Sequence, residues 1–190
     1  MTLASPQHRF TADDLLRLPD NNTMELVDGQ ILEKNVSSLS SLTELRIALI
    51  LTAFTDRTGT GVVYPATMGY QCFQSVVDDP DRMRKPDVSV IKIDRYRKLP
   101  NSNPGYMPIV PDLAVEVLST NDTIRIVNEK LFEYRSAGFP LVWVADPDTR
   151  TVTVYPNPGK PYILTGDDEI TAENALPGFV CKISDFFPPA

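Results

Sequence analysis

Apolar and polar positions follow two different periods along this chain. Around Met24, Leu26 and Ile31 they alternate on either side of Asp28-Gly29, a dipeptide that accepts positive φ at both residues. The segment therefore predicts a hairpin closed by a two-residue type I′ turn. Upstream, Thr11 and Asp14 ahead of Leu15 and Leu16 predict a short capped helix that Pro19 stops. Over residues 37–54 the period becomes helical. Leu42, Leu45, Leu49 and Phe54 form a stripe that Ile47, Ile50 and Leu51 widen, which predicts a helix packed on a sheet through that face. Gly59 and Gly61 close it, and strand-like runs follow at 62–64 and 68–73.

Further on, Pro86 biases its predecessor to an extended conformation and opens a strand over 87–91. A loop rich in Pro, Asn and Gly at 100–111 leads to 112–118, a nearly continuous apolar run of the kind found in central strands. Ser119-Thr120-Asn121-Asp122 then supplies helix-capping residues, and Ile124, Val127, Leu131 and Tyr134 recur at helical spacing as far as Gly138. The run 141–145 holds the single Trp, and Pro147-Asp148-Thr149 turns it into a hairpin partner at 151–155. The tail 179–187 is expected to cover the sheet edge. The pattern as a whole predicts an α/β (α+β) fold, a mixed central β-sheet flanked by helices with an N-terminal β-hairpin, as one domain over residues 10–188.

Composition narrows the chemistry. Apolar residues make up 42% of the 190, enough for a sizeable core. Cys72 and Cys181 lie in strand-like runs and read as packed thiols. The single histidine, His8, falls in the N-terminal arm, which removes the usual zinc ligand and the usual base of a catalytic triad. Catalysis would then rest on carboxylates, lysine and a hard cation such as Mg²⁺ or Mn²⁺. No stretch reaches the roughly 18–20 unbroken apolar residues of a membrane span, and residues 1–10 lack a secretory signal order, so the expectation is a cytoplasmic protein with no membrane partner.

A net charge of −7 argues against a general nucleic-acid coat protein. Yet Arg82, Arg84, Lys85, Lys92, Arg95, Arg97 and Lys98 place seven of the 18 basic residues within 17 positions. That segment is either a solvated edge or a phosphate-facing patch, with Arg82, Arg84 and Lys85 the candidate DNA phosphate contacts.

Two acids stand out. Side chains alternate in a strand, so Ala114, Glu116 and Leu118 share one face of 112–118 and Leu113, Val115 and Val117 the other. An unpaired carboxylate there costs several kcal/mol, so Glu116 needs a partner, a proton or a cation. Asp87 at the head of the neighbouring strand is the expected second acid. Lys130, at the border of the apolar face of the following helix, is positioned to point back to the sheet, although helical lysines are usually solvated.

The residues around these three form spaced motifs: Arg84-Lys85-Pro86-Asp87-Val88-Ser89-Val90-Ile91, Pro111-Asp112-Leu113-Ala114-Val115-Glu116-Val117-Leu118-Ser119, Lys130-Leu131-Phe132-Glu133-Tyr134 and Val142-Trp143-Val144-Ala145-Asp146-Pro147. Together, and in this order, they resemble the Uma-two family, restriction-endonuclease-like proteins of the PD-(D/E)XK nuclease superfamily that are common in cyanobacteria. The resemblance runs from Met24 to Phe179. It implies a restriction-endonuclease-like core, Asp87 and Glu116 as metal-binding acids, Mg²⁺-dependent cleavage of DNA, and a symmetric homodimer with no obligate further protein partner. The chain departs from the superfamily pattern at Leu118, where a lysine is expected two residues after the second acid. Lys130 is the candidate replacement. The family's histidine near the start of the first long helix is also missing from 40–44. Glu44 is either an outer acid or a surface residue, Glu25 either reaches the site or pairs with an arginine, and Gln71 is a candidate for orienting water. The alternative function is a nuclease-like DNA-binding or protein-interaction module without catalysis, and hydrolysis of another phosphoester also fits two acids and a metal.

Overall fold

The computed structural model describes residues 9–100, 105–172 and 175–189, so His8 lies outside it. Helix α1 (Ala12–Arg17) starts at Thr11, whose hydroxyl accepts the Asp14 N–H while the Asp14 carboxylate accepts the Thr11 N–H. Strands β1 (Met24–Val27) and β2 (Gln30–Glu33) form the expected hairpin. Asp28 at φ 53° and Gly29 at φ 72° make the turn. Helix α2 (Ser38–Thr58) is capped by Ser37 and ends at Gly59, whose φ of 65° lets the last turn close on the Thr55 carbonyl.

Strands β3 (Gly61–Pro65) and β4 (Val88–Lys92), the short helix α3 (Ile93–Tyr96), β5 (Leu113–Val117), helix α4 (Ile124–Ser136), β6 (Leu141–Asp146), β7 (Thr151–Pro156) and β8 (Tyr162–Thr165) follow. The chain then forms β9 (Glu169–Ala172), β10 (Leu176–Lys182) and a 3₁₀ turn, Ile183–Phe186. The main sheet runs in the order β3-β4-β5-β6-β7-β8. Among the described strands only β5 and β6 pair in parallel, because only there does a helix, α4, carry the chain back across the sheet. The hairpin β1–β2 and the pair β9–β10 are separate two-stranded sheets.

Strand alternation divides the core. Val88, Val90, Leu113, Val115, Val117 and Trp143 pack towards α2 and the C-terminal segment, while Ile91, Ala114 and Val142 pack towards Tyr70, Tyr134 and Phe139 on the α4 side. Glu116 lies in register with Ala114, on the α4 side, as the alternation predicts.

Four expectations need correction. The face of α2 that packs on the sheet carries Thr43, Ile47, Leu51 and Phe54, whereas Leu42, Leu45 and Leu49 are exposed. The helix has two apolar stripes, and its length and composition meet the measure of a membrane-crossing segment despite Glu44 and Arg46. Residues 68–73 form no strand, only bridges from Tyr70 to Arg84 and to Met107. The tail covers a sheet face instead of an edge, with Phe179 and Phe186 against Trp143 at ring separations of 6.0 and 5.8 Å. Cys72 and Cys181 are half-buried free thiols, and burial pushes them up to about 12 and about 11, which keeps both protonated at neutral pH.

Candidate active site

The two acids meet through strand register. β4 and β5 pair antiparallel with Val88 opposite Val115 and Ser89 opposite Ala114. The ladder ends at Val88, and just beyond it Asp87 lies near enough to Glu116 for its charge to act on that carboxyl. Pro86 cannot donate to the ladder, so β4 stops there. The Asp87 backbone N–H still reaches the Val115 carbonyl at 2.9 Å, and its Oδ2 accepts the Val117 N–H at 2.6 Å. A carboxylate thus stands where the ladder would have continued with a carbonyl.

Helix α4 comes down on this pair with an unusual buried face. Lys130, Glu133 and Tyr134 are inside, because what they meet is charged. The Lys130 ammonium donates to Glu116 Oε2 at 2.9 Å and lies 3.1 Å from Glu25 Oε1. The Tyr134 hydroxyl donates to Glu116 Oε1 at 2.6 Å, and its ring is fixed by stacking on Phe139 at 4.4 Å. Burial and the neighbouring Asp87 hold the Glu116 carboxyl above its usual range, against the pull of Lys130. Burial alone would lower the Lys130 ammonium, but Glu116 and Glu25 outweigh it and raise it, so this lysine stays charged.

Lys34, one residue past β2, was not visible as a site residue. Its ammonium is hydrogen-bonded to Asp87 Oδ1 and donates to the Lys85 carbonyl at 2.8 Å. The hairpin register pairs Glu25 with Leu32, so Glu25, Leu32 and Lys34 share a hairpin face, and this face looks onto the acids. Glu25 itself accepts the Lys85 N–H at 2.9 Å and an Arg84 guanidinium N–H at 3.0 Å. Lys130, Arg84 and Lys34 overcome burial to hold the Glu25 carboxyl at about 2.

The candidate phosphate contacts are placed differently from the expectation. Arg82 and Arg84 are buried at 5% and 4% exposure. Arg84 donates to Glu133 at 2.7 and 2.8 Å, while Arg82 is hydrogen-bonded to Glu133, to Asp79 at 3.0 Å and to Asp28 at 2.6 Å. Lys85 donates to the Asn21 carbonyl at 2.5 Å and lies over the Tyr106 ring, and burial lowers its ammonium to about 8. The two arginines are held by acids, and Lys85 by a backbone carbonyl and an aromatic ring, so none of the three is free. Gln71 also stays apart, its side-chain amide donating to the Pro80 carbonyl at 3.1 Å.

Glu44 on α2 lies outside the groove lining but feels the charges of both acids. Burial first, then the charges of Asp87 and Glu116, push its carboxyl up to about 7. Between pH 4.5 and 7 the folded state holds a proton there that the unfolded state has released, and above pH 7 Glu44 is ionised in both states at a cost to the fold. Glu44→Gln should therefore stabilise the protein at pH 8, by about 1 kcal/mol after allowance for partial solvation. The gain should disappear by about pH 4.5. Urea denaturation at the two pH values measures it, and an equal effect at both would mean that the Glu44 carboxyl is not held above its usual range.

Asp87, Glu116, Lys130, Lys34, Glu25 and Glu133 line one groove of about 760 Å³, walled by the hairpin residues Gln30 to Asn35 and by α4. Its lining holds eight acids against five bases, so a polyanion can approach only with a cation. The donors fit such a cation in kind, being hard carboxylate oxygens on two adjacent acids. Among the described residues no three His, Cys, Asp or Glu side chains are grouped closely enough to hold a metal by themselves. Asp87 and Glu116 would bind one with waters completing the shell, as Mg²⁺ commonly does.

A family model described as "Uma2: Putative restriction endonuclease" matches residues 12–184. A crystal structure described as a "putative nuclease belonging to DUF820" from Anabaena variabilis ATCC 29413 superposes with a TM-score of 0.75 at 20% identity. The match covers 94% of this chain and 97% of that one, and at this identity it speaks for the fold. No curated protein matches the chain.

Proposed function

Since the chain belongs to the Uma2 family of restriction-endonuclease-like nucleases, we propose that it is a divalent-metal-dependent DNA endonuclease working at Asp87, Glu116 and Lys130. The observation that carries this reading is that Asp87, bonded to Val115 and Val117 on either side of Glu116, lines one groove with Glu116 and with Lys130, whose ammonium lies 2.9 Å from the second acid. Leu118 leaves the strand without a lysine, and α4 returns an ammonium to the same carboxylate.

A metal bound by Asp87 and Glu116 would supply Lewis acidity and make a bound water easier to deprotonate. The chain's own groups do the rest. Lys130, kept charged between Glu116 and Glu25, presents positive charge at the groove floor, where a phosphodiester gathers negative charge in its transition state. Tyr134 fixes the Glu116 rotamer through Oε1. The Val117 N–H fixes Asp87 through Oδ2, so both acids are oriented before any ligand arrives. A symmetric pair of such chains would suit cutting both strands of a duplex.

The test is conversion of supercoiled plasmid by the purified protein. Nicked and linear products are expected with Mg²⁺ or Mn²⁺, none with EDTA, and recovery when the metal is returned. A second reading, a nuclease-like module that binds without cutting, draws support from one observation: every carboxylate oxygen of Asp87 and Glu116 already has a hydrogen-bond partner within the protein. DNA binding that weakens with salt, without conversion at any metal concentration, would establish that reading instead.

A further inference from the structure

We infer that Lys34 is a built-in counter-cation, holding the cation position on Asp87 until a divalent metal displaces its ammonium into the groove. The inference rests on the metal-site reading above and deepens it.

Of the four carboxylate oxygens in the acid pair, three are held by groups of the central scaffold. Asp87 Oδ2 accepts from the Val117 backbone, Glu116 Oε1 from Tyr134 and Glu116 Oε2 from Lys130. The fourth, Asp87 Oδ1, is held by Lys34, which arrives from the separate hairpin sheet. An ammonium on one carboxylate oxygen, beside a second acid, stands in for a metal ion in charge and position. It cannot stay when a metal takes that oxygen, because two cations at one oxygen repel at short range.

Lys34 is also the group best able to leave. Its other hydrogen bond is to a backbone carbonyl, that of Lys85, and its four-carbon stem lines the groove at 12% side-chain exposure. Water is therefore within reach of a modest rotation. Lys130 is different, since its second partner, Glu25, keeps it paired at 3.1 Å whatever happens at Glu116. The two lysines have separate duties: Lys130 stays, and Lys34 yields. Metal loading then becomes a competition in which the protein supplies the competing charge.

The experiment uses the whole chain and Mn²⁺ alone. Binding is measured by calorimetry, and lysine acetylation is followed by mass spectrometry with and without saturating Mn²⁺. Lys34 should be acetylated at least about tenfold faster with Mn²⁺ bound, while exposed Lys160 is unchanged. Lys34→Met should bind Mn²⁺ about tenfold more tightly. If Lys34→Met does not fold, the acetylation of the unaltered chain decides alone. Mn²⁺ binding with unchanged Lys34 labelling overturns the inference and leaves the metal site standing. No Mn²⁺ binding to either protein overturns the metal reading and this inference with it.

Discussion

Asp87→Asn should lower metal-dependent cleavage at least about a thousandfold and leave the fold intact. The asparagine keeps an oxygen for the Val117 N–H, so the strand ending is preserved, but it brings no charge to a metal. Glu116→Gln should do the same, since Tyr134 still has an oxygen to donate to. Lys130→Met belongs to another class. It should retain Mn²⁺ binding and slow cleavage about 10²- to 10³-fold, the usual loss when one preorganised charge is removed from a transition state. Single-turnover rates paired with Mn²⁺ titrations separate the two classes. Cleavage that survives in both acid variants would move the active site elsewhere.

Glu133→Ala should cost about 3–5 kcal/mol of folding free energy. Glu133 accepts from both Arg82 and Arg84, and all three side chains are buried. Truncation leaves two guanidiniums out of water with their charges only partly met, by Asp79 and Asp28 for Arg82 and by Glu25 for Arg84. Those remaining partners set the loss towards the lower end of the range. By contrast Glu129, whose pairing with Arg125 at 3.5 Å is exposed, should be replaceable by alanine for less than about 0.5 kcal/mol. Urea denaturation at pH 7 compares the two. Equal small losses would show that water reaches the Arg82–Glu133–Arg84 cluster.

What was legible in the sequence was local. Thr11, Ser37 and Asp28-Gly29 act through neighbours three residues away or fewer, and each does what its position predicts. Glu116 was legible because a strand with apolar neighbours leaves an acid conspicuous, and Asp87 because Pro86 marks a strand head. The arginines were misjudged because Arg82, Arg84 and Lys85 look like a surface run until Glu25, Asp28, Asp79 and Glu133 come in from elsewhere. Helix α2 was misjudged for another reason. Leu42, Leu45 and Leu49 have the same period as Ile47, Leu51 and Phe54, and periodicity reports a stripe without saying which stripe is covered. A signal for Lys34 existed: once Asp28-Gly29 fixes the hairpin, Lys34 falls on the same face as the candidate Glu25.

The hairpin itself joins the rest of the molecule through thin connections. Among the described residues, the Leu26–Met83 bridge, the Phe10–Gly29 backbone bond, a small cluster with Leu15, Met83 and Tyr106, and the polar contacts of Glu25, Asp28 and Lys34 hold it. Glu116 lies in β5 and Asp87 directly precedes β4 of the six-stranded sheet, and central strands of this kind usually open at a higher free energy than a peripheral hairpin. The hairpin amides can therefore exchange with solvent hydrogen through a smaller, sub-global opening. Such an opening would carry Lys34 and Glu25 away together while Asp87 and Glu116 stay with the sheet, so the charge balance of the site would follow a local equilibrium, which slower exchange of the hairpin amides on Mn²⁺ binding would report.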